Sequence, residues 1–177
     1  IESGEDQLVS KAPLIQNDEV INVFKEKEGM LLLTKDNGFF TIGKDGGLSP
    51  SERFPNTMLS GFSLYDGIQL SDGGYALGTI SNGLIHLGSD GTLSYQINQN
   101  NGLSNNTVLS VFEDVSSNIW LGLDYGVSFV NIKSPYRVFN DYNGDLGSVY
   151  AAAVFENNLY LGTNQGLYYK PLASGEN

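Results

Sequence analysis

The sequence predicts an all-β protein, a β-propeller segment of four blade-type repeats, and three observations carry that reading. The chain repeats itself four times at the period of a four-stranded propeller blade. Each repeat is a set of short apolar runs punctuated by Gly- and Asn/Asp-rich turns. Composition agrees: among 177 residues there are 22 glycines and 11% aromatics but only 16% charged side chains, the balance of many short strands rather than of helices. The length suits one ordinary domain with a real core.

The copies align on Gly38, Gly83, Gly126 and Gly166, which lie 45, 43 and 40 residues apart. The first holds Val23, Phe24, then Met30 to Thr34 and Phe39; the second runs from Ile68 through Tyr75 to Thr79 and on to Leu84. The third runs from Val111 through Ile119, Trp120, Leu121 and Gly122 to Val127, and the fourth from Val154 through Tyr160 and Gly162 to Tyr168. Every copy reads as a strand, a polar turn, a second strand ending near Gly-Thr, a short turn before Gly, and a third strand. Repeats are therefore expected over about 20–60, 64–100, 108–140 and 149–177, with 7–15 as an extra outer strand. A further turn recurs as Gly43, Lys44, Asp45, Gly46 and as Gly88, Ser89, Asp90, Gly91. Asp-Gly supplies the positive φ that such a turn needs, and it leads to a fourth strand such as Leu93 to Ile97.

Gly78, Gly122 and Gly162 recur inside second strands, where glycine weakens pairing; close approach of backbones near a crowded axis explains them, with bulges as the alternative. Trp120, Tyr75 and Tyr160 are read as one repeat position and hence as blade core. The last unit stops after its third strand at Leu167 to Lys170. The four units could close on themselves with residues 7–15 completing the last blade, or two chains could join into a larger ring.

The formal charge of −11, a pI near 4.2 and basic residues scattered from Lys11 to Lys170 argue against nucleic-acid binding. The absence of Cys excludes disulfides, thiolate metal sites and a cysteine nucleophile. No apolar stretch approaches the ~18 residues of a membrane span, and Ile1 to Asp6 lack the regions of a signal peptide. The first residue is not Met, so the chain is read as excised from something longer, without direct membrane insertion.

No catalytic residue, metal or cofactor is expected. His86 is the one histidine, reads as a packed strand residue, and has no second His to pair with on a metal. No G-x-S-x-G elbow accompanies it. Asp141, Asn143, Gly144 and Asp145 resemble a calcium loop, but the place of its bidentate Glu is taken by Ala152. The acids Asp66, Asp72, Asp124 and Asp141 fall at turns, and none pairs with another as the carboxylates of a glycosidase would. A ligand, if bound, is expected on one rim, where the turns between second and third strands supply Asn37, Asn82, Tyr125 and Gln165. Amides bond sugar hydroxyls and aromatic faces cover their C–H surfaces.

The run Asn101 to Asp114 followed by Ile119, Trp120, Leu121 and Gly122 resembles the two-component regulator propeller repeat of extracytoplasmic sensor domains in Bacteroidetes. It departs from that pattern at Ser117, where the family has Gly, at Leu123 for Thr and at Val127 for Leu. Asp114 with Trp120 also resembles the Asp-box of sialidase propellers, at a spacing one residue longer. The first resemblance implies a periplasmic, membrane-anchored sensor whose propeller precedes a triple-tyrosine domain and a kinase or helix-turn-helix output, and whose stimuli are oligosaccharides. The leading reading is thus a non-catalytic sensor segment, with the rest of its parent and a second copy as further partners. A structural or protein-interaction propeller is the second reading, and a propeller glycosidase or lyase the third.

Overall fold

A computed structural model describes residues 15, 17–27, 29–134 and 144–172. Apart from Ile15, the outer strand expected over 7–15 lies outside the described residues, as do Asp141 and Asn143. The described chain is all-β, fourteen strands in four antiparallel sheets that each follow chain order. The first sheet holds β1 (Val20–Glu26), β2 (Gly29–Thr34), β3 (Gly38–Ile42) and β4 (Leu48–Pro50); the second holds β5 (Leu64–Gln69), β6 (Tyr75–Thr79), β7 (Leu84–Leu87) and β8 (Leu93–Ile97). The third holds β9 (Val108–Glu113), β10 (Ile119–Leu123) and β11 (Val127–Val130), and the fourth β12 (Val149–Phe155), β13 (Asn158–Thr163) and β14 (Gly166–Pro171).

The turn chemistry read from the sequence closes the outer hairpins. Asp45 accepts from the backbone N–H of Gly47 at 3.0 Å, and Asp90 from that of Thr92 at the same distance. Gly91 lies at φ +87°, and a Cβ there would meet the carbonyl of Arg53, so only glycine fits.

Successive sheets pack face to face, and the two-residue period of each strand divides their side chains between two neighbours. Leu31, Leu33 and Phe39 of the first sheet meet Tyr75, Leu77, Ile85 and Leu87 of the second in one buried cluster. Ala76 and Leu84, on the opposite face of the second sheet, join Val108, Val111, Ile119 and Leu121 of the third in another. The second sheet is therefore covered on both faces, and every residue of β6 and β7 is buried. Among the described residues the third sheet is covered on one face only. Its other face carries Phe112, Trp120 and Phe129, directly opposite one another across β9, β10 and β11 and 65%, 42% and 51% exposed. All of β12 is exposed as well.

The ladder corrects one sequence expectation. Trp120 lies across from Phe112 and Phe129 and Tyr160 across from Ala153 and Tyr169, each two residues before the glycine that lies across from the residue after the turn glycine, Val127 or Leu167. In the second sheet that place belongs to Ala76, not Tyr75. Tyr75 is one residue out of register, and a single step turns a side chain to the other face. It points back into the first sheet, ringed by Phe24, Phe39 and Phe54 at centroid distances of 5.1, 5.4 and 5.1 Å.

Both readings of the recurrent glycines hold in part. Opposite them the register slips at one place in every inner strand, leaving Ile21, Tyr65, Leu109 and Tyr150 as extra residues, the mark of a β-bulge. Close approach holds at Gly78, where a Cβ would lie 2.8 Å from Val108 Cγ1 and 2.9 Å from its carbonyl oxygen. At Gly162, on the fourth sheet, a Cβ would meet nothing nearer than Ala151 at 3.7 Å. The residue after the bulge ties one sheet to the next: Asn22 Nδ2 donates to the carbonyl of Gly67 at 2.9 Å, and Asp66 Oδ2 accepts from the N–H of Val111 at 2.7 Å.

Gly78→Ala is expected to destabilise the protein by about 1–3 kcal/mol through overpacking, and Gly162→Ala to cost well under that, as read from denaturant midpoints. Ser117 sits at φ +61°, where a side chain strains the backbone, so Ser117→Gly should raise stability by up to about 1 kcal/mol in the same measurement.

Candidate functional site

The turns between second and third strands all lie at the end of their sheets where the inner strand begins, and one bond fixes each. Lys35 N–H donates to Glu19 O at 2.9 Å, Ile80 to Ser63 at 2.9 Å, Asp124 to Thr107 at 3.1 Å and Asn164 to Ser148 at 3.1 Å. Sheets are joined along the same rim: Leu64 N–H donates to Lys35 O at 2.8 Å, and the Thr107 hydroxyl to Ile80 O at 2.7 Å.

The four residues expected to bind a ligand sit in these turns. Asn37 donates from both its backbone N–H and its side-chain amide to Asp18 Oδ2, at 2.9 and 2.8 Å. Asn82 donates its N–H to the Thr79 hydroxyl at 2.8 Å while its carbonyl accepts from Gln96 Nε2 at 2.7 Å. Gln165 Nε2 donates to Gly144 O at 3.1 Å. Tyr125 is 80% exposed. No hydrogen bond joins any two of the four among the described residues; the side chains of Asn37 and Gln165 tie their turns to the segment before the first strand of their sheets, and Asn82 bonds through its backbone. Partial burial pushes the Asp18 carboxyl up, but hydrogen bonds from the Thr34 and Asn37 side chains and the backbone of Asp36 and Asn37 outweigh it and hold the group below its ordinary range.

At the opposite end of the sheets the acids also serve the scaffold. Asp72 accepts from the N–H of Gly74 at 2.8 Å, and Glu113 accepts from the N–H and hydroxyl of Ser71 at 2.7 and 2.6 Å, tying the third sheet to the second. Asp66 is spent on the inner-strand bridge described above. The buried Tyr75 donates its hydroxyl to Glu26 Oε1 at 2.9 Å beside the Arg53–Glu26 ion pair of 2.5 Å. Burial first, then the Glu26 hydrogen bond and charge, push its phenol up to about 12. Past this pair opens a cleft of about 570 Å³ on the first sheet, lined among others by Glu26, Met30, Thr41, Ser49, Glu52 and Arg53. Its polar side chains are hydroxyls, the Glu26–Arg53 pair and the charged Lys27 and Glu52, without the amides or aromatic faces foreseen for a sugar site. Sequence reasoning passed over Arg53, which stacks 4.5 Å above the Phe54 ring; its neighbour Phe54 gave the only cue.

Asp114 behaves as the Asp-box likeness implies. It accepts from the Trp120 ring N–H at 3.0 Å and from the N–H groups of Ser116 and Asn118 at 2.8 and 2.9 Å. These bonds, that of Trp120 foremost, hold its carboxyl down at about 2. Trp120 is thereby pinned with its ring on the open face of the third sheet. Every carboxylate with a resolved shift, Asp18, Asp90 and Asp114, moves downward, the opposite of what a general acid requires. No group of three or more metal-ligating side chains occurs among the described residues. No described helix is long and apolar enough to cross a membrane.

No family model and no curated protein matches this chain. Solved structures do share its fold. The extracellular domain of the hybrid two component system BT3049 from B. thetaiotaomicron is 15% identical at a TM-score of 0.51, over 87% of this chain and 20% of that one. PorZ, a bacterial surface component of the type-IX secretion system of Porphyromonas gingivalis, is 14% identical at a TM-score of 0.51, over 86% of this chain and 24% of its own. The extracellular domain of BT4673 from B. thetaiotaomicron is 24% identical at a TM-score of 0.49, over 86% and 21%. The chain thus spans about a fifth of the first of these structures, and at such identities the likeness is one of fold.

Trp120 is the one tryptophan, so all the emission comes from the ring that Asp114 holds. A carboxyl lowered from the model-compound 3.8 to about 2 contributes stability that is complete above the unfolded value and lost as pH falls toward the folded one. The emission should titrate near pH 2, and the transition should vanish in Asp114→Asn.

Proposed function

We propose that this chain is a segment of a β-propeller in the extracytoplasmic part of a membrane-anchored signalling protein, and that it senses glycan fragments without catalysing a reaction. The observation that carries the reading is the fold shared with the extracellular domain of BT3049 over 87% of the chain, together with the repeat that pointed to such domains. In this reading the segments 20–60, 64–100, 108–140 and 149–177 act as blades, and the sheet-on-sheet packing of the first three is blade packing. Asn37, Asn82, Tyr125 and Gln165 offer amide groups and one exposed ring along the rim that the inner-strand starts define. The downward shifts of Asp18, Asp90 and Asp114 make these three poor general acids.

A second reading, a propeller that holds protein partners and no small ligand, is favoured by the exposed row Phe112, Trp120 and Phe129, since apolar patches of this kind mark interaction surfaces. PorZ, with the same fold, is described as a secretion-system component.

Titrating neutral and acidic oligosaccharides into the ¹⁵N-labelled protein separates the two. Sensing predicts shifts at the amides of Asn82, Tyr125 and Gln165 that Tyr125→Ala weakens at least several-fold. If no saccharide moves those signals, while Phe129→Glu converts a self-associating species to monomer by light scattering, the interaction reading replaces it.

A further inference from the structure

His86 lies on β7, on the face of the second sheet turned toward the third. Its ring is 7% exposed and stacks on Tyr95 of β8 at 4.4 Å, the planes 2° apart. Its cross-strand neighbours are Ala76 and Tyr95, and it shares the face of Ala76, which packs on Val111, Ile119 and Leu121 of the third sheet. Neither ring nitrogen has a hydrogen-bond partner in the protein. A buried polar group so placed is costly, and a charged one far more so.

Among the described residues, the charge that acts on the ring lies at one end of it. A Cβ on Gly74 would sit 3.5 Å from His86 Nε2, so the β5–β6 turn closes over that nitrogen, and the same turn carries Asp72, whose charge acts on the ring. From the third sheet Glu113 reaches this turn through Ser71. Tyr95 is the titratable group stacked on the ring itself. A neutral ring therefore belongs inside the joint, whereas a protonated one belongs outside it, beside Asp72 and in water. That is a two-state element driven by a single proton.

We propose that His86 is an acid-sensitive latch: neutral, it stays stacked under Tyr95 and keeps the third sheet docked on the second; protonated, it leaves the stack toward Asp72 and loosens that joint. Burial lowers the affinity of the ring for a proton, and the charge of Asp72 offsets this only in part. The unfolded chain, titrating near the ordinary histidine value of about 6.5, takes up the proton first. Stability is then full above that value and falls as pH drops through it toward the folded value.

Because the chain has one histidine, its ring signals in a ¹H–¹³C NMR titration are unambiguous. The latch requires a midpoint below 6.5, and a melting temperature that falls by several degrees between pH 7.5 and 5 in the wild type but much less in His86→Phe, which keeps the stack without the proton. A midpoint at or above 6.5 overturns the proposal. So does a pH profile of His86→Phe parallel to that of the wild type. Should His86→Phe fail to fold, the wild-type ring titration decides alone.

Discussion

The two-sidedness of these sheets is the constraint on which everything else rests. A sheet whose strands carry apolar residues on alternate positions of both faces must have a neighbour on each side. Among the described residues only the second sheet has two: Tyr75, Leu77, Ile85 and Leu87 meet the first sheet, Ala76 and Leu84 the third. The choice of residue follows from which neighbour is met. Large aromatics fill the space toward the first sheet, and Ala76 and Gly78 let the third sheet come close enough for Val108 to touch the backbone. The third and fourth sheets have the same two-sided composition with one or both faces in water, and that is where Phe112, Trp120, Phe129 and Tyr150 are exposed.

How far the sequence disclosed this depended on whether the signal was local. Turns were legible because Asp45, Asp90 and the glycines after them act within four residues. Repeat length was legible because the same turn recurs. The face on which a side chain lies was not always so, since Tyr75 and Ala76 are neighbours and a one-step slip in alignment exchanges their environments. The bridges from Asn22 to Gly67 and from Val111 to Asp66 were invisible for a different reason. A polar residue in a strand looks like a solvent-facing one until the bulge beside it is known to turn it toward the next sheet. A clue was present all the same, because Asn22, Asp66 and Ser110 follow Ile21, Tyr65 and Leu109 at one repeat position.

The candidate site shows the same division between scaffold and surface. Asn37, Asn82 and Gln165 are the amides that the sequence offers to a ligand, yet Asn37 and Gln165 spend their side chains on Asp18 and on the carbonyl of Gly144, and the backbone of Asn82 closes its own turn on Thr79. Rim loops on a repeat fold serve two ends at once, and the bonds from Lys35, Ile80, Asp124 and Asn164 leave a fixed frame on which other side chains vary. Tyr125, 80% exposed, is the one least committed to that frame.

The bridges between inner strands carry a consequence for how the chain acquires its fold. Each joins residues 45 apart, one repeat length and no more, while within a sheet every pairing is between consecutive strands. Repeats that touch only their neighbours fold by propagation from one to the next. A ribosome releasing this chain would present the first sheet, then the second to cap it, then the third, each arriving on a surface already formed. Assembly in order of synthesis is thus written into where Asn22 and Asp66 reach.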